Sequence, residues 1–542
     1  MVYRGKPSAA CSWCRARRLK CDQKRPSCSS CLRAKRICTG YRDVTALSFH
    51  DQTAEVVEKA NRRPQPQSEY TSVSPWADAS EIASSSSSDE NAYNLFALQP
   101  MPTPIIDQGI TYVLTYHVGS ARRSVSGHLS FLPSLLQQEP SPAVMASINA
   151  MGLAALGNIH GNPHLTRAAR QQYTIALSET NTALQDTITA KSDATLAAVL
   201  VLGLYEIITC QSHSLMVRWA DHIEGAMALI KLRGSEQLRS PVGLALFTQL
   251  RGQYTLSNLY RKKSTPAWLM ALSEETVGMR GPQQSSMESF FKYLAKVSEL
   301  CAQVGRRAKT PHETIQEALQ LDAMLAAWAL TVGQGWQYSV LDAAVTSKNK
   351  PSEQHVYGDY YHEYPEIGIA VMWNTYRLTR IVIHEVIAAV CERLWRRSRG
   401  NNNELWATIR QSAAVTRQLA EEVCAGVPYF FKSAHSDKSL IDASGLIRLH
   451  WTLFVASDCV GSTPRMKAWI TSRLNEIGRR VGVQQALSMT NYLLGDVSLN
   501  WLKQELQAID NLHGDSQGDV PSEPRLLLNV RGMKKHQSKM NQ

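Results

Sequence analysis

Six cysteines fall within the first forty residues, at Cys11, Cys14, Cys21, Cys28, Cys31 and Cys38. Their spacing, C-x2-C-x6-C-x6-C-x2-C-x6-C, is the unit C-x2-C-x6-C written twice with six residues between the copies. A C-x2-C step brings two thiolates to one metal across a turn, and zinc takes four such ligands in a tetrahedron with arms of about 2.3 Å. Two ions need eight bonds, so with six ligands two sulfurs must bridge. The internal symmetry makes the first Cys of each half, Cys11 and Cys28, the natural bridges; Cys14 and Cys21 then complete one ion, Cys31 and Cys38 the other. Six thiolates and two divalent ions leave a buried charge of −2, which Arg15, Lys20, Arg33 and Lys35 help offset. A unit this small has little apolar material, with Leu19, Leu32 and Ile37 as its main candidates, so metal binding must supply most of its folding free energy.

The competing readings of clustered cysteine are weaker. A disulfide framework belongs to exported proteins, and the basic, cysteine-rich N-terminus lacks the unbroken apolar run of a secretory leader. A redox C-x-x-C pair would not need four partner cysteines. The chain is expected to be soluble and intracellular: the longest apolar stretch, about Leu196 to Cys210, is interrupted by Glu206 and too short to span a bilayer.

Charge is distributed unevenly. Residues 1–42 hold twelve Lys or Arg against one acid, Asp22, so this segment accounts for +11 of the formal +12. A concentrated positive block on a nearly neutral body is the electrostatic footprint of a polyanion-binding unit.

The rest of the 542 residues divides by pattern. Residues 43–104 form a short segment of helical character, Asp43 to about Asn61, followed by a linker rich in Pro, Gln and Ser that includes Ser84 to Ser88. Val44, Leu47, Val56 and Val57 do not sustain a heptad spacing, so a coiled coil directly after the basic unit is not supported, and homodimerisation stays open. From 105 to 513, apolar residues recur at helical spacing, as in Leu196, Val199, Leu200, Leu204 and Ile207, which predicts an all-helical domain. Segments near 141–157, 163–190, 283–308, 366–398, 402–425, 440–459, 465–481 and 485–509 read as helices; so does the stretch from Asp193 to Cys210 with Ser192 as N-cap, and that from Leu215 to Arg233 closed by Gly234. Residues 514–542 are a polar and basic tail to which no fold is assigned. The fold class expected is mainly α: a small two-zinc unit over 1–42, a linker, and a large helical body.

The run Cys-Ser-Trp-Cys-Arg-Ala-Arg-Arg-Leu-Lys-Cys at 11–21, then Pro26, Cys28, Cys31, Cys38 and Gly40-Tyr41, resembles the fungal binuclear zinc cluster family of transcription regulators. That resemblance implies a short helix after each C-x2-C. The first helix would present its C-terminal end to the major groove of double-stranded DNA, where the basic pair reads a CGG-type triplet. Arg18, and next Arg17, are thereby the base-reading candidates, and an Arg fork suits the O6 and N7 acceptors of guanine. Arg15, Lys20, Lys24, Arg25, Arg33, Lys35 and Arg36 are assigned to phosphate contacts or solvated charge. Residues 193–234, with Trp219, His222, Gly225, Ala226 and Leu229, resemble the middle homology region of one branch of these regulators, whose role is regulatory. The resemblance further implies a nuclear protein acting on RNA polymerase II genes, in this branch often pathway genes such as those of secondary metabolism, together with transcription machinery or coregulators.

No catalytic residue is assigned. His384-Glu385-Val386-Ile387-Ala388 begins like a zinc-protease helix but carries Ala at the position of the second ligand. His222 reads as a packed residue, and Cys210, Cys301, Cys391, Cys424 and Cys459 as buried structural thiols. The alternative to a DNA-reading regulator is a helical scaffold or enzyme whose zinc module binds nucleic acid or protein without sequence choice.

Overall fold

The computed structural model describes residues 10–17, 19–24, 27–36, 38, 104–118, 129–137, 141–211, 213–277, 282–344, 352–431 and 443–494. The expected helical segment at 43–61, the linker up to 103, the tail at 514–542, Arg18, Arg25, Pro26, Ile37 and the stretch 495–509 lie outside them. The chain divides into two units, residues 1–100 and 101–542.

The described part of the first unit holds two single-turn helices, α1 (Ser12–Ala16) and α2 (Ser29–Arg33), packed against one another. Each begins inside its C-x2-C step. Leu19 and Leu32, expected as apolar core, are 45% and 63% exposed. The interior instead consists of Cys11, Cys14, Cys28 and Cys31 with Ala10, flanked by Trp13, Cys21 and Cys38. Sulfur occupies the space that leucine would otherwise fill.

The second unit runs α3 (Ile105–His117), α4 (Leu132–Gln137), α5 (Pro142–His160), α6 (Pro163–Gln185), α7 (Asp193–Thr209), α8 (His213–Arg233), α9 (Pro241–Arg261), α10 (Ala267–Val277), α11 (Pro282–Arg306) and α12 (Pro311–Thr331). A two-stranded ribbon follows, β1 (Ser339–Asp342) and β2 (Tyr360–Glu363), then α13 (Ile367–Arg397), α14 (Asn403–Phe431), α15 (Ala443–Asp458), α16 (Pro464–Val481) and α17 (Gln484–Leu494). The helical body is therefore as expected, with one addition: the strands pair antiparallel with Val340 opposite His362 and Leu341 opposite Tyr361.

Local chemistry explains many helix starts. Asn162, Ser240, Thr310 and Thr463 each precede a proline at the first helical turn, and each side chain accepts a backbone N–H of that turn. Proline suits the position because its missing N–H would be orphaned there anyway. Thr310 and Glu313 complete a reciprocal capping box. Ser192 caps α7 as predicted, accepting the Thr195 N–H at 3.1 Å, and Gly234 follows α8 with φ +61°.

Packing is built around α5, thirteen of whose residues are buried and which contacts α3, α6 and α7. It crosses α3 so closely that a Cβ on Gly152 would stand 2.0 Å from the Gly109 carbonyl oxygen, so only glycine fits. The C-terminal helices return to this centre: Asn158 donates to the carbonyls of Ile208 and Gly482, and Ser488 to that of Cys210. Among the described residues one helix, Pro142–His160, is long and apolar enough to cross a membrane, and 72% of that window is buried inside the fold. Buried charge is paired: Arg251 and Glu288 form two hydrogen bonds of 2.7 Å, with the guanidinium 4.4 Å from the Phe291 ring centroid.

Candidate metal centre

The cysteine unit repeats its geometry at an offset of seventeen positions. In the first half the Cys14 N–H points to the Cys11 sulfur at 3.5 Å, and in the second the Cys31 N–H points to the Cys28 sulfur at 3.4 Å. The Cys14 carbonyl accepts from the Leu19 N–H, as the Cys31 carbonyl accepts from the Arg36 N–H. The duplicated spacing in sequence is thus a duplicated fold in space.

The sulfurs of Cys11, Cys14, Cys21 and Cys28 lie within 4.8 Å of one another, and so do those of Cys11, Cys28, Cys31 and Cys38. Cys11 and Cys28 stand in both groups. Individual separations are 3.8 Å for Cys11 to Cys28, 3.7 Å for Cys11 to Cys31 and 3.7 Å for Cys14 to Cys28. A tetrahedron with zinc–sulfur arms of about 2.3 Å has an edge of about 3.8 Å, so the donor set fits the ion. A disulfide, at about 2.05 Å, does not describe these pairs.

The electrostatics agree with that fit. Burial, followed by hydrogen bonding to Cys11 and Cys28, pushes the Cys14 thiol up to about 12, and burial first also raises Cys31. The Cys21 thiol moves the other way, lowered first by a backbone hydrogen bond, and a coordinating divalent cation deprotonates a raised thiol such as that of Cys14 outright.

Asp22, the single acid of the basic segment, ties the halves together. Its carboxylate accepts the Ser29 N–H at 3.0 Å and the Ser29 hydroxyl at 2.5 Å, and these bonds hold it below the usual carboxylate range. The Ser30 hydroxyl donates to the Lys20 carbonyl at 3.0 Å. The sequence reading gave Asp22 and the two serines no part; short polar residues next to ligand cysteines were the available signal.

Among the residues expected at DNA, Arg15 lies on α1, Arg17 follows its end and Lys20 is exposed, while Arg18 lies outside the described residues. The Arg17 guanidinium stands over the Trp13 ring, 5.7 Å from the centroid.

The second unit offers no competing centre among its described residues. His384 sits 3.3 Å from Asp322 and 3.3 Å from Ser412, which superficially suggests a hydrolase constellation. Ser412 is only 2% exposed, and Asp322 is clamped by two bonds from Arg380, so the group is an interior polar network. Glu385 accepts the Val460 N–H, which gives the partial protease motif a structural explanation. His222 packs where Gly203 leaves room for α8, with its Nε2 3.9 Å from Glu206. Cys210, Cys301, Cys391, Cys424 and Cys459 are all buried.

Comparison with known proteins places names on both units. Residues 9–47 match the fungal Zn(2)-Cys(6) binuclear cluster domain, and residues 123–335 match the fungal specific transcription factor domain. The latter span contains the stretch at 193–234 that carried the second resemblance. An uncharacterized protein of Emericella nidulans is 31% identical over 133 residues, which cover 24% of this chain and 28% of that protein. White-opaque regulator 2 of Candida albicans is 39% identical over 46 residues, 8% of this chain and 10% of that protein. The chain thus spans less than a third of the length of these curated relatives. No solved structure matches.

Proposed function

For a chain that carries the fungal two-zinc, six-cysteine cluster domain and the fungal specific transcription factor domain, we propose a sequence-specific DNA-binding regulator of RNA polymerase II genes that acts in the nucleus. The observation that carries the reading is the pair of sulfur groups at tetrahedral spacing, sharing Cys11 and Cys28, inside a segment of charge +11. Cys11, Cys14, Cys21, Cys28, Cys31 and Cys38 are the ligands. Zinc supplies cross-linking and charge neutralisation there, and no reaction step. The two ions fix α1 and α2, so the exposed side chains around them face DNA from a rigid base.

Arg18 and Arg17 read a CGG-type element, and Arg15 and Lys20 serve the phosphates, which position the unit without specifying sequence. The helical unit is the regulatory part, a non-enzyme that engages coregulators or a second copy of the chain. Pathway genes, such as those of secondary metabolism, are the target class in this reading.

The test is binding of the full chain to a panel of random duplexes across a salt series, with zinc and after chelation. The expected result is enrichment of a CGG-containing subset that needs zinc. Arg18→Ala should lose discrimination, at a cost of about 1 to 3 kcal/mol. Lys35→Ala should mainly flatten the salt slope by about one unit. Zinc-bound chain without sequence preference would overturn the proposal in favour of a scaffold.

A further inference from the structure

The two halves of the cysteine unit share a backbone plan, so side chains must decide which half meets DNA. At the offset of seventeen, Trp13 corresponds to Ser30 and Arg17 to Ala34. In the second half this helix position is spent on joining the halves, since the Ser30 hydroxyl donates to the Lys20 carbonyl. In the first half it carries a tryptophan, partly buried against the cluster of cysteines. Arg17, four residues on and therefore on the same side of α1, lays its guanidinium over that ring at 5.7 Å.

We infer that Trp13 is a positioning residue for Arg17: the ring, packed against the cysteine cluster, holds the exposed guanidinium and gives the first half an arginine fork braced by an aromatic face, whereas Arg33 of the second half is tied by its Nε to the Ser29 carbonyl. The inference rests on the DNA-reading proposal and names what organises that site. The contact suits the task because attraction to a ring's π face uses none of the guanidinium N–H groups as hydrogen-bond donors, leaving them for guanine or phosphate. An unsupported arginine at the end of a single helical turn would instead be immobilised only on binding, at an entropic cost. The second half lacks both partners, with a hydroxyl and a methyl at the corresponding places.

The test uses the full zinc-loaded chain with Trp13→Leu, which keeps apolar packing and removes the π face, and Trp13→Phe, which keeps a ring. Trp13→Leu should retain the wild-type zinc content and salt slope yet bind its selected duplex about two- to five-fold more weakly, the worth of an exposed cation–π contact. Trp13→Phe should recover most of that loss. In an Arg17→Ala background, Trp13→Leu should cost nothing further, because the two residues act as one unit.

A second readout needs no DNA. Modification of Arg17 by a dicarbonyl reagent, mapped by mass spectrometry against Arg36 as internal reference, should accelerate in Trp13→Leu and not in Trp13→Phe. Unchanged modification and unchanged affinity in Trp13→Leu would overturn the inference. So would additive losses in the double variant, or a fall in zinc content that tracks the fall in affinity, which would give the ring a purely structural role. If the wild-type chain shows no sequence preference while the modification result holds, the DNA-reading proposal fails and the Trp13–Arg17 coupling stands.

Discussion

In the cysteine unit the fully buried side chains are Cys11, Cys14, Cys28 and Cys31, while its leucines face water. In the helical unit one continuous apolar cluster runs from Tyr112 to Leu493, and its buried charges are matched in pairs. The two regions solve the same problem by opposite means. A short segment cannot bury enough surface to offset chain entropy, so its interior is made of ligands that need a cation. Several hundred residues can, so the helical unit holds its shape through packing, and a buried charge such as Arg251 is matched by a partner.

The contrast can be broken most sharply by removing metal. Structural zinc contributes about 10 to 16 kcal/mol in comparable small units, far more than this unit's packing supplies. Chelation should therefore abolish hydrogen-exchange protection at the Cys14, Leu19, Cys31 and Arg36 amides and leave the helices from α5 onward unchanged. Loss of protection in both regions at once would erase the distinction.

The helical unit should respond to a different perturbation. Arg251 is packed between Phe247 and Phe291 and pairs with Glu288, both members being almost wholly buried. Arg251→Met alone strands a buried carboxylate and should cost about 3 to 5 kcal/mol in urea unfolding. Adding Glu288→Leu should recover most of that loss, since a matched apolar pair restores the packing. Zinc content should be unaffected by either change.

A smaller effect comes with acid. His362 on β2 is buried beside Arg377, and burial first, then that positive charge, lowers its pKa to about 3. The unfolded chain binds this proton near pH 6.5, so the stabilisation is complete above that pH and is lost as pH falls towards the folded value. The slope is about 1.4 kcal/mol per pH unit, or roughly 2 kcal/mol between pH 6.5 and 5. His355 and His450, both lowered chiefly by burial, add in the same direction. His362→Gln should flatten the unfolding profile over this window; an unchanged slope would remove the assignment.

What the sequence made legible follows the same division. Periodic signals are local: cysteine spacing, Ser192 as a cap and the apolar rhythm of α5, α7 and α13 can all be read along the chain. The helices α3, α4, α9, α10 and α12 lie in the stretch expected to be helical but outside every segment singled out within it. On α9 the buried face mixes Leu246, Phe247 and Leu250 with Arg251, Thr255, Ser257 and Asn258, which dilutes the apolar rhythm. For α12 the Thr310-Pro311 start with Glu313 was the usable signal. The β ribbon was invisible because its first strand is exposed along its whole length and its partner lies some twenty residues on. Leu19 and Leu32 were read as core from residue type alone, which fails where sulfur forms the interior. The Asp22 to Ser29 link depends on how two single-turn helices are folded around the cluster, which residue spacing alone does not state, whereas the Trp13 to Arg17 contact follows the i, i+4 spacing of one helical turn.

The most direct measurement is the zinc content of the full chain by elemental analysis, in the native sequence and in Cys28→Ser. The account predicts two ions per native chain and the loss of both from the variant, because Cys28 stands in both sulfur groups. One ion in the native chain, or two retained in Cys28→Ser, would contradict a shared-sulfur cluster and with it the basis assigned to the DNA-reading unit.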